Sequence, residues 1–557
     1  MEYTELCRQY RELDRDCANL HYELSGGKDE ERKLFIPDEA NMEKAWNRFR
    51  ELKERVASLE EPDAVFALVR HHFEDFLDSQ EYALEDAGKH PEGGFLYMHW
   101  MIENTSRLSR KPDEERCQKM VSQLEEICEA SDIFLGLIKK QESEEEQRQA
   151  AAALSGAKTT VEACRMKLNE YFPTFTQEQR SRVDAAIVRF EDVLGKMADA
   201  LPEETQAEAK ARDTKEPEED DLSITVKMEE EEYRTLLSKR LGVSLDELLA
   251  WHKEEIEKTR AEVFAIAKKL NIPEPEPKTM EEVNEILFKY EGPCQSPEEM
   301  FERANEYLKR TRALAHEYVN LPEDESCLCV EISDSCKDSY PWGGYEGGDF
   351  TVRPIRGQMF LNNYNYQNVT DGWIKLNALH EAYPGHHVQY VRAAIDSRPE
   401  TVKIGAKLVP VLEGTCLRTE RAFEFIYGED PFFPLFVAYR RHHASVRIYV
   451  DLMLFYHGAT LEEAVKTYEK ELGFDRGTAR SQVRAHQNMQ GYFTCYYYGM
   501  KKICQWEKEY GFSKKDFTEL LFSAGYISIE RLGELARLTP QERERYYHDF
   551  SSLLKED

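Results

Sequence analysis

Apolar residues recur at spacings of three and four along most of this 557-residue chain, the period of an amphipathic helix. The stretches Glu43 to Leu59 and Asp113 to Lys140 carry that period in a background of Glu, Lys, Arg, Leu and Ala. The pattern predicts a helical region over residues 1–201, punctuated at Gly26-Gly27 and at Pro91-Glu92-Gly93-Gly94. No internal repeat is visible. Residues 202–222 are acidic and poor in apolar positions, so an exposed loop or linker is expected there. Helical spacing resumes from Lys227 to about Leu270, stops at Pro273, Pro275 and Pro277, and returns over 280–318. His316-Glu317 has no later partner and reads as surface or core packing.

The texture changes after Cys327. Trp342-Gly343-Gly344-Tyr345-Glu346-Gly347-Gly348 is glycine-rich, but no Lys-Ser/Thr follows, which excludes a phosphate-binding P-loop. Asp349 to Ile355 and Gln358 to Tyr364 are short and apolar, and Arg356-Gly357 joins them into a predicted hairpin. An exposed edge strand can pair with the backbone of an extended peptide, and Phe360-Leu361-Asn362-Asn363 is the candidate. The expected fold is therefore mainly α, a large helical body with a small β element. Residues 223–557 form its C-terminal region, separate from the first or continuous with it.

The chemistry concentrates just after the predicted hairpin. Leu379-His380-Glu381-Ala382-Tyr383-Pro384-Gly385-His386-His387-Val388-Gln389 holds three histidines and a glutamate. Hydrolytic zinc sites use neutral imidazoles, a carboxylate base and one open coordination position. The common helical form is H-E-x-x-H, with both histidines on one face. Here the fifth position is Pro384, and the next histidines stand at i+6 and i+7. On a straight helix i+7 returns to within about 20° of the first face but lies roughly 10 Å along the axis. Proline removes a donor and glycine tolerates unusual dihedrals, so a kink or bulge is expected to bring His386 or His387 back towards His380.

About 25 residues on, Leu412-Glu413-Gly414 follows an apolar run, and Glu413 and Glu420 share a helical face at i and i+7. A buried carboxylate needs a partner. Glu413 is the candidate third metal ligand, and Glu420 is expected to orient a histidine or Arg418. Glu381 is the candidate general base. Tyr496, or Arg484, is the candidate group for an oxyanion or a substrate carboxylate. His442-His443 read as structural. Seven of the fifteen histidines fall between His380 and His486, which places a site in this half. The implied cofactor is Zn²⁺, and the implied activity is hydrolysis of short peptides. The same ligands also suit a non-catalytic metal-binding scaffold, which the Pro384 break favours, or a hydrolase of a non-peptide amide.

Composition narrows the partners. A net charge of −33 disfavours nucleic acid and anionic membrane surfaces. No run of 18 apolar residues exists, so no membrane-spanning helix is expected. The first residues lack a basic and apolar leader pattern, so no secretory signal is expected. The twelve cysteines are scattered without C-x-x-C pairs, which points to reduced thiols and a cytoplasmic protein. A zinc ribbon at Cys327, Cys329 and Cys336 is the alternative use of the densest group.

The run His380 to Gln389 resembles the H-E-x-x-P-G-H-H-x-Q signature of the bacterial domain-of-unknown-function family 885. Glu413-Gly414 and Glu420 resemble that family's E-G-W-A-L-Y-A-E segment, with Thr415-Cys416 in place of Trp-Ala. Arg484, Gly491 and Tyr496 can be placed on a later family block. Gly491-Tyr492-Phe493, with Tyr496 and Gly499, is similar to a block of carboxypeptidase Taq relatives. His387-Val388-Gln389-Tyr390 is similar to the H-x-Q-Y of angiotensin-converting-enzyme-like peptidases, an alignment that makes His387 the second zinc ligand. The resemblance to these zinc peptidases implies a helical body with a deep cleft and carboxypeptidase or dipeptidase chemistry.

Overall fold

The structure, a computed structural model, describes residues 3–25, 34–94, 112–141, 143–166, 168–202, 222–332, 337, 340–347, 353–396 and 399–550. The fold is mainly helical, with one small sheet. Contacts divide the chain into two units, one of residues 15–58 and 80–220, the other of 1–14, 59–79 and 221–557. Residues 1–14 and 59–79 thus group with the C-terminal part, a division that a single cut in the acidic segment does not produce. That segment, from 203 to 221, lies outside the described residues.

The first unit is a helical pack. Its helices include Glu39–Ala57, Asp113–Ile138, Glu144–Met166 and Gln177–Asp199. Cys117, Leu124, Phe134, Leu154, Val161, Ile187 and Phe190 fill its core. Thr176 and Gln179 cap the last of these helices reciprocally.

The second unit holds the His380 segment. Its site is built on α1 (Leu245–Ala267), α2 (Pro297–Tyr318), α3 (Asp371–Asn377), α4 (His386–Ile395), α5 (Val409–Ala422), α6 (Phe433–Asp451), α7 (Arg476–Asn488) and α8 (Thr494–Glu509). The continuous helix expected from Lys227 is broken. Gly242 takes a left-handed φ of 67°, and the Ser244 hydroxyl accepts from the Glu247 N–H to start α1 afresh. The 280–318 stretch is likewise two helices, Met280–Tyr290 and α2, the second opened by a Ser296 cap and Pro297.

The hairpin expectation is corrected. Residues 349–352 lie outside the described set, and the partner of the second strand is the glycine-rich stretch itself. The sheet has three strands, β1 (Ser326–Glu331), β2 (Gly343–Glu346) and β3 (Arg356–Leu361), in the order β1-β3-β2. β1 runs parallel to β3 and β2 antiparallel. Glycine is a poor strand former, which hides β2 in the sequence. In the fold a Cβ on Gly344 would meet the Phe360 ring at 2.4 Å, so the glycine makes room for its cross-strand neighbour. β3 is the central strand. Its segment Phe360-Leu361-Asn362 has its backbone already paired, Asn362 N–H with Trp342 O, and offers no free edge to a peptide. The Cys329 N–H on the outer side of β1 is taken by Asn305 Oδ1 of α2.

Candidate metal centre

The helical run α3 does not simply continue through the His380 motif. It widens into a π-turn over Ala378–Ala382, and Tyr383 then takes an extended conformation. A π-turn adds a residue per turn and re-aims the side chains on it. The chain reverses through Pro384-Gly385 and restarts as α4 with His386 as its first residue. Gly385 is required by space. A Cβ there would stand 1.9 Å from the His380 carbonyl oxygen. Close backbone approach across the break brings the His380 and His386 rings to 5.1 Å between centroids, about half the separation of i+6 positions on a straight helix.

The two rings share one acceptor. His380 Nε2 lies 3.3 Å and His386 Nε2 3.4 Å from Glu413 Oε2. Their other nitrogens are committed. His380 Nδ1 donates to Glu420 Oε1 at 2.7 Å, and His386 Nδ1 donates to Gln389 Oε1 at 2.8 Å. Gln389 is itself oriented by donating its Nε2 to Leu412 O. Glu413 and Glu420, seven residues apart on α5, thus grip the two nitrogens of a single imidazole. Tyr492 O–H donates to Glu413 Oε1 at 2.5 Å. Glu381 lies at the edge, its carboxylate 4.0 Å from His386 Nε2. The Tyr496 ring stacks on His380 at 6.3 Å.

With both Nδ1 atoms donating, neutral rings turn Nε2 lone pairs towards a carboxylate oxygen. Two imidazole nitrogens that face one carboxylate oxygen at 3.3 and 3.4 Å need a cation between each and that oxygen, a proton or a metal. Protons fill the role when nothing else does. Burial would lower the pKa of His380, but its bonds to Glu413 and Glu420 raise it to about 10. Burial would raise that of Glu413, yet the His386 and His380 imidazoles hold it well below the usual carboxylate range. Zinc–nitrogen and zinc–oxygen bonds are about 2.0–2.2 Å, so two ligand atoms on a tetrahedral zinc stand about 3.4 Å apart. The Glu413 spacings match that value, and nitrogen and carboxylate donors with bonded outer partners suit zinc. Since a metal must displace these protons, its affinity rises with pH. Cys416 also comes within ligand distance of both rings. Its Sγ, however, is 3.5 Å from His386 Nδ1, the nitrogen already bound to Gln389, so Glu413 is the better third donor.

His387 is corrected as a ligand candidate. As the second residue of α4 it points about 100° away from His386. Its Nε2 donates to Glu325 Oε2 at 2.6 Å and its Nδ1 accepts from Tyr345 O–H at 3.0 Å. Glu325 also accepts from Tyr383 O–H and Arg312 Nε, both at 2.6 Å. His387 is a satisfied core histidine tying α4 to the sheet and α2.

Arg484 is corrected as well. It occupies the exposed side of α7, opposite the buried His486 and Gln482. Arg418 is engaged by Glu507 and Thr518 rather than by Glu420. His442 is structural, bonded to Thr259 Oγ1 and Glu471 O. Cys327 and Cys329 share the buried face of β1, and Cys336 lies outside the described residues. Tyr492, Arg440 and Arg447 also belong to the surroundings of the site, although none of them has a specific role assigned from sequence. The signal available for the arginines was their i, i+7 placement on an otherwise apolar helix face. A second acidic cluster, Glu291, Asp371 and Asp430, already holds a cation. Lys375 Nζ lies 2.8 Å from Asp371, 3.3 Å from Glu291, and in contact with Asp430.

A helical body with a small sheet, and two histidines and a glutamate held by outer partners, define a helical chain with a candidate metal centre. The chain belongs to the family of bacterial proteins of unknown function DUF885, whose profile matches residues 24–535. Two solved structures share the fold. One is described as the putative lipoprotein from Colwellia psychrerythraea, with a TM-score of 0.71 and 14% identity over 98% of this chain and 99% of that one. The other is described as a putative lipoprotein of unknown function from Shewanella oneidensis, with a TM-score of 0.68 and 15% identity over 96% and 99%. No curated protein matches. The expectation of a cytoplasmic protein is withdrawn, since the two structural relatives are described as putative lipoproteins. Identity this low carries the fold alone, and the lipoprotein description stays with those two proteins. Among the described residues no helix is long and apolar enough to cross a membrane.

Proposed function

We propose that this chain is a zinc-dependent peptidase acting on short peptides. The observation that carries the reading is the approach of both His380 Nε2 and His386 Nε2 to Glu413 Oε2 with the outer nitrogens of the two rings occupied. These three residues would hold the zinc, which when bound supplies a Lewis acid for the peptide carbonyl and lowers the pKa of the attacking water. Glu381 projects from the π-turn beside them with a partly exposed side chain. It takes the proton of the attacking water and returns it to the leaving amine. Glu420 and Gln389 hold the imidazoles in the tautomer that presents Nε2. Tyr492 fixes Glu413, and the phenol of Tyr496, a residue only partly buried, is the candidate donor for a developing oxyanion.

A library of short peptides, incubated with purified chain, with chelated chain and with chain restored by zinc, tests the reading. Cleavage is expected in the first and third samples and not in the second. No cleavage of any peptide after zinc restoration would remove the peptidase and favour a scaffold.

A further inference from the structure

Two guanidinium groups sit beside the centre with too few partners. Arg440 and Arg447 are seven residues apart on α6, so they share a face. They are 6% and 8% exposed. The Arg440 guanidinium lies 5.5 Å and the Arg447 guanidinium 5.3 Å from the centroid of the Tyr496 ring. That ring in turn stacks on His380 at 6.3 Å. These centroid distances bound each guanidinium to within about 12 Å of the His380 ring, the reach of roughly three extended residues.

Glu413 is engaged by Tyr492 and the two imidazoles, whereas Glu420, the ion-pair partner of Arg440, keeps Oε2 without a hydrogen-bond partner among the described residues. Arg440 Nε is 3.9 Å from Glu420 Oε1, beyond hydrogen-bond range, and that oxygen accepts from His380. Among the described residues Arg440 Nη1 has no hydrogen-bond partner. Arg447 donates one Nη2 bond to Gln482 and lies 4.5 Å from the Phe493 ring centroid; among the described residues its Nε has no hydrogen-bond partner and no carboxylate forms an ion pair with it. Asp451, one turn further, is committed to Tyr233 and His486. His443 lies between the two arginines on α6 and is buried, and burial followed by Arg447 and Arg440 holds it well below the usual imidazole range. It adds no negative charge. Buried charge with few partners is costly, and a buried polar atom without a partner calls for an explanation, of which a bound ionic ligand is one.

We propose that Arg440 and Arg447 bind the free C-terminal carboxylate of the peptide substrate. A guanidinium fork matches a planar carboxylate, whereas a lysine would offer only a point charge. The site then measures a short distance from the scissile bond to the chain end, which makes the enzyme an exopeptidase acting from the C-terminus. This rests on the peptidase reading above, and it moves carboxylate recognition from the exposed Arg484 to α6.

Binding by the Glu381→Gln variant separates the two ideas, because it needs no turnover. The probes are N-acetyl-trialanine, its C-terminal amide, and N-acetyl-Ala-Asp-Ala amide, titrated calorimetrically into zinc-loaded protein. The free acid is expected to bind at least tenfold more tightly than its amide. Adding Arg447→Gln or Arg440→Gln is expected to shrink that preference to twofold or less. Equal binding of acid and amide in Glu381→Gln overturns the proposal, as does a preference that survives in both double variants. So does an aspartate amide that binds as tightly as the free acid, since it would mean the site reads acidic side chains. If the glutamine variants lose their circular dichroism or their zinc, Arg447→Lys and Arg440→Lys take their place. A preference reduced at least threefold is then expected, and an unchanged one refutes the assignment. Should the wild type cleave nothing while Glu381→Gln still prefers the acid, the peptidase reading fails alone and the carboxylate site stands.

Discussion

Replacing Glu381 by glutamine is expected to lower kcat/KM for peptide cleavage by about 10²–10⁴ and to leave metal content unchanged. Glutamine matches the size of glutamate but cannot accept the proton of the attacking water. Glu381 stands on the π-turn, its carboxylate 4.0 Å from His386 Nε2, and contributes no bond to the two outer nitrogens that orient the rings. The loss therefore falls on kcat, with KM for peptides little altered. Metal is measured by mass spectrometry on the same samples. Turnover within twofold of wild type would remove Glu381 from the mechanism.

Gly499→Ala is expected to damage both the fold and the site. α5 and α8 pack with their backbones in contact. A Cβ on Gly499 would sit 1.8 Å from Pro410 O, and one on Gly414 would sit 2.5 Å from the Gly499 carbonyl carbon. No rotamer change relieves a clash with backbone, so the helices must part. Overpacking of this kind costs about 1–3 kcal/mol, against a gain of up to about 1 kcal/mol in helix propensity. Separation also draws Glu413, on α5, from Tyr492, which leads into α8. A lower midpoint in urea and weaker zinc retention are expected together. Gly136→Ala is the control. It lies in the helix Asp113–Ile138, and among the described residues nothing approaches its Cβ position within 4 Å. There the propensity term acts alone, and stability is expected to hold or rise. Equal behaviour of the two variants would contradict the close-packing account.

Much of this arrangement was readable before the fold, and the rest was hidden for physical reasons. Spacing alone placed Glu413 and Glu420 on one helical face, and both reach His380 in the structure. It could not choose between His386 and His387. Their roles depend on where the helix restarts, and a one-residue change turns a side chain by about 100°. The π-turn has no composition signature in Ala378–Ala382. The strand β2 was masked because Gly343 and Gly344 lower strand propensity while serving to admit Phe360 and Leu361. Arg484 and Arg447 are the same residue type in similar helical contexts. Only burial separates the exposed one from the one packed against Tyr496. A left-handed glycine at 242 divided a helix that periodicity joined.

The most direct test of the central claim is metal content, measured by mass spectrometry on wild type and His380→Ala purified side by side without added metal. His380 is the residue held on both sides, by Glu413 and by Glu420. The account predicts about one zinc per wild-type chain, the stoichiometry of a single three-ligand site, and its loss from the variant. Wild-type protein without zinc even after loading, or a variant that keeps as much zinc as wild type, would contradict it.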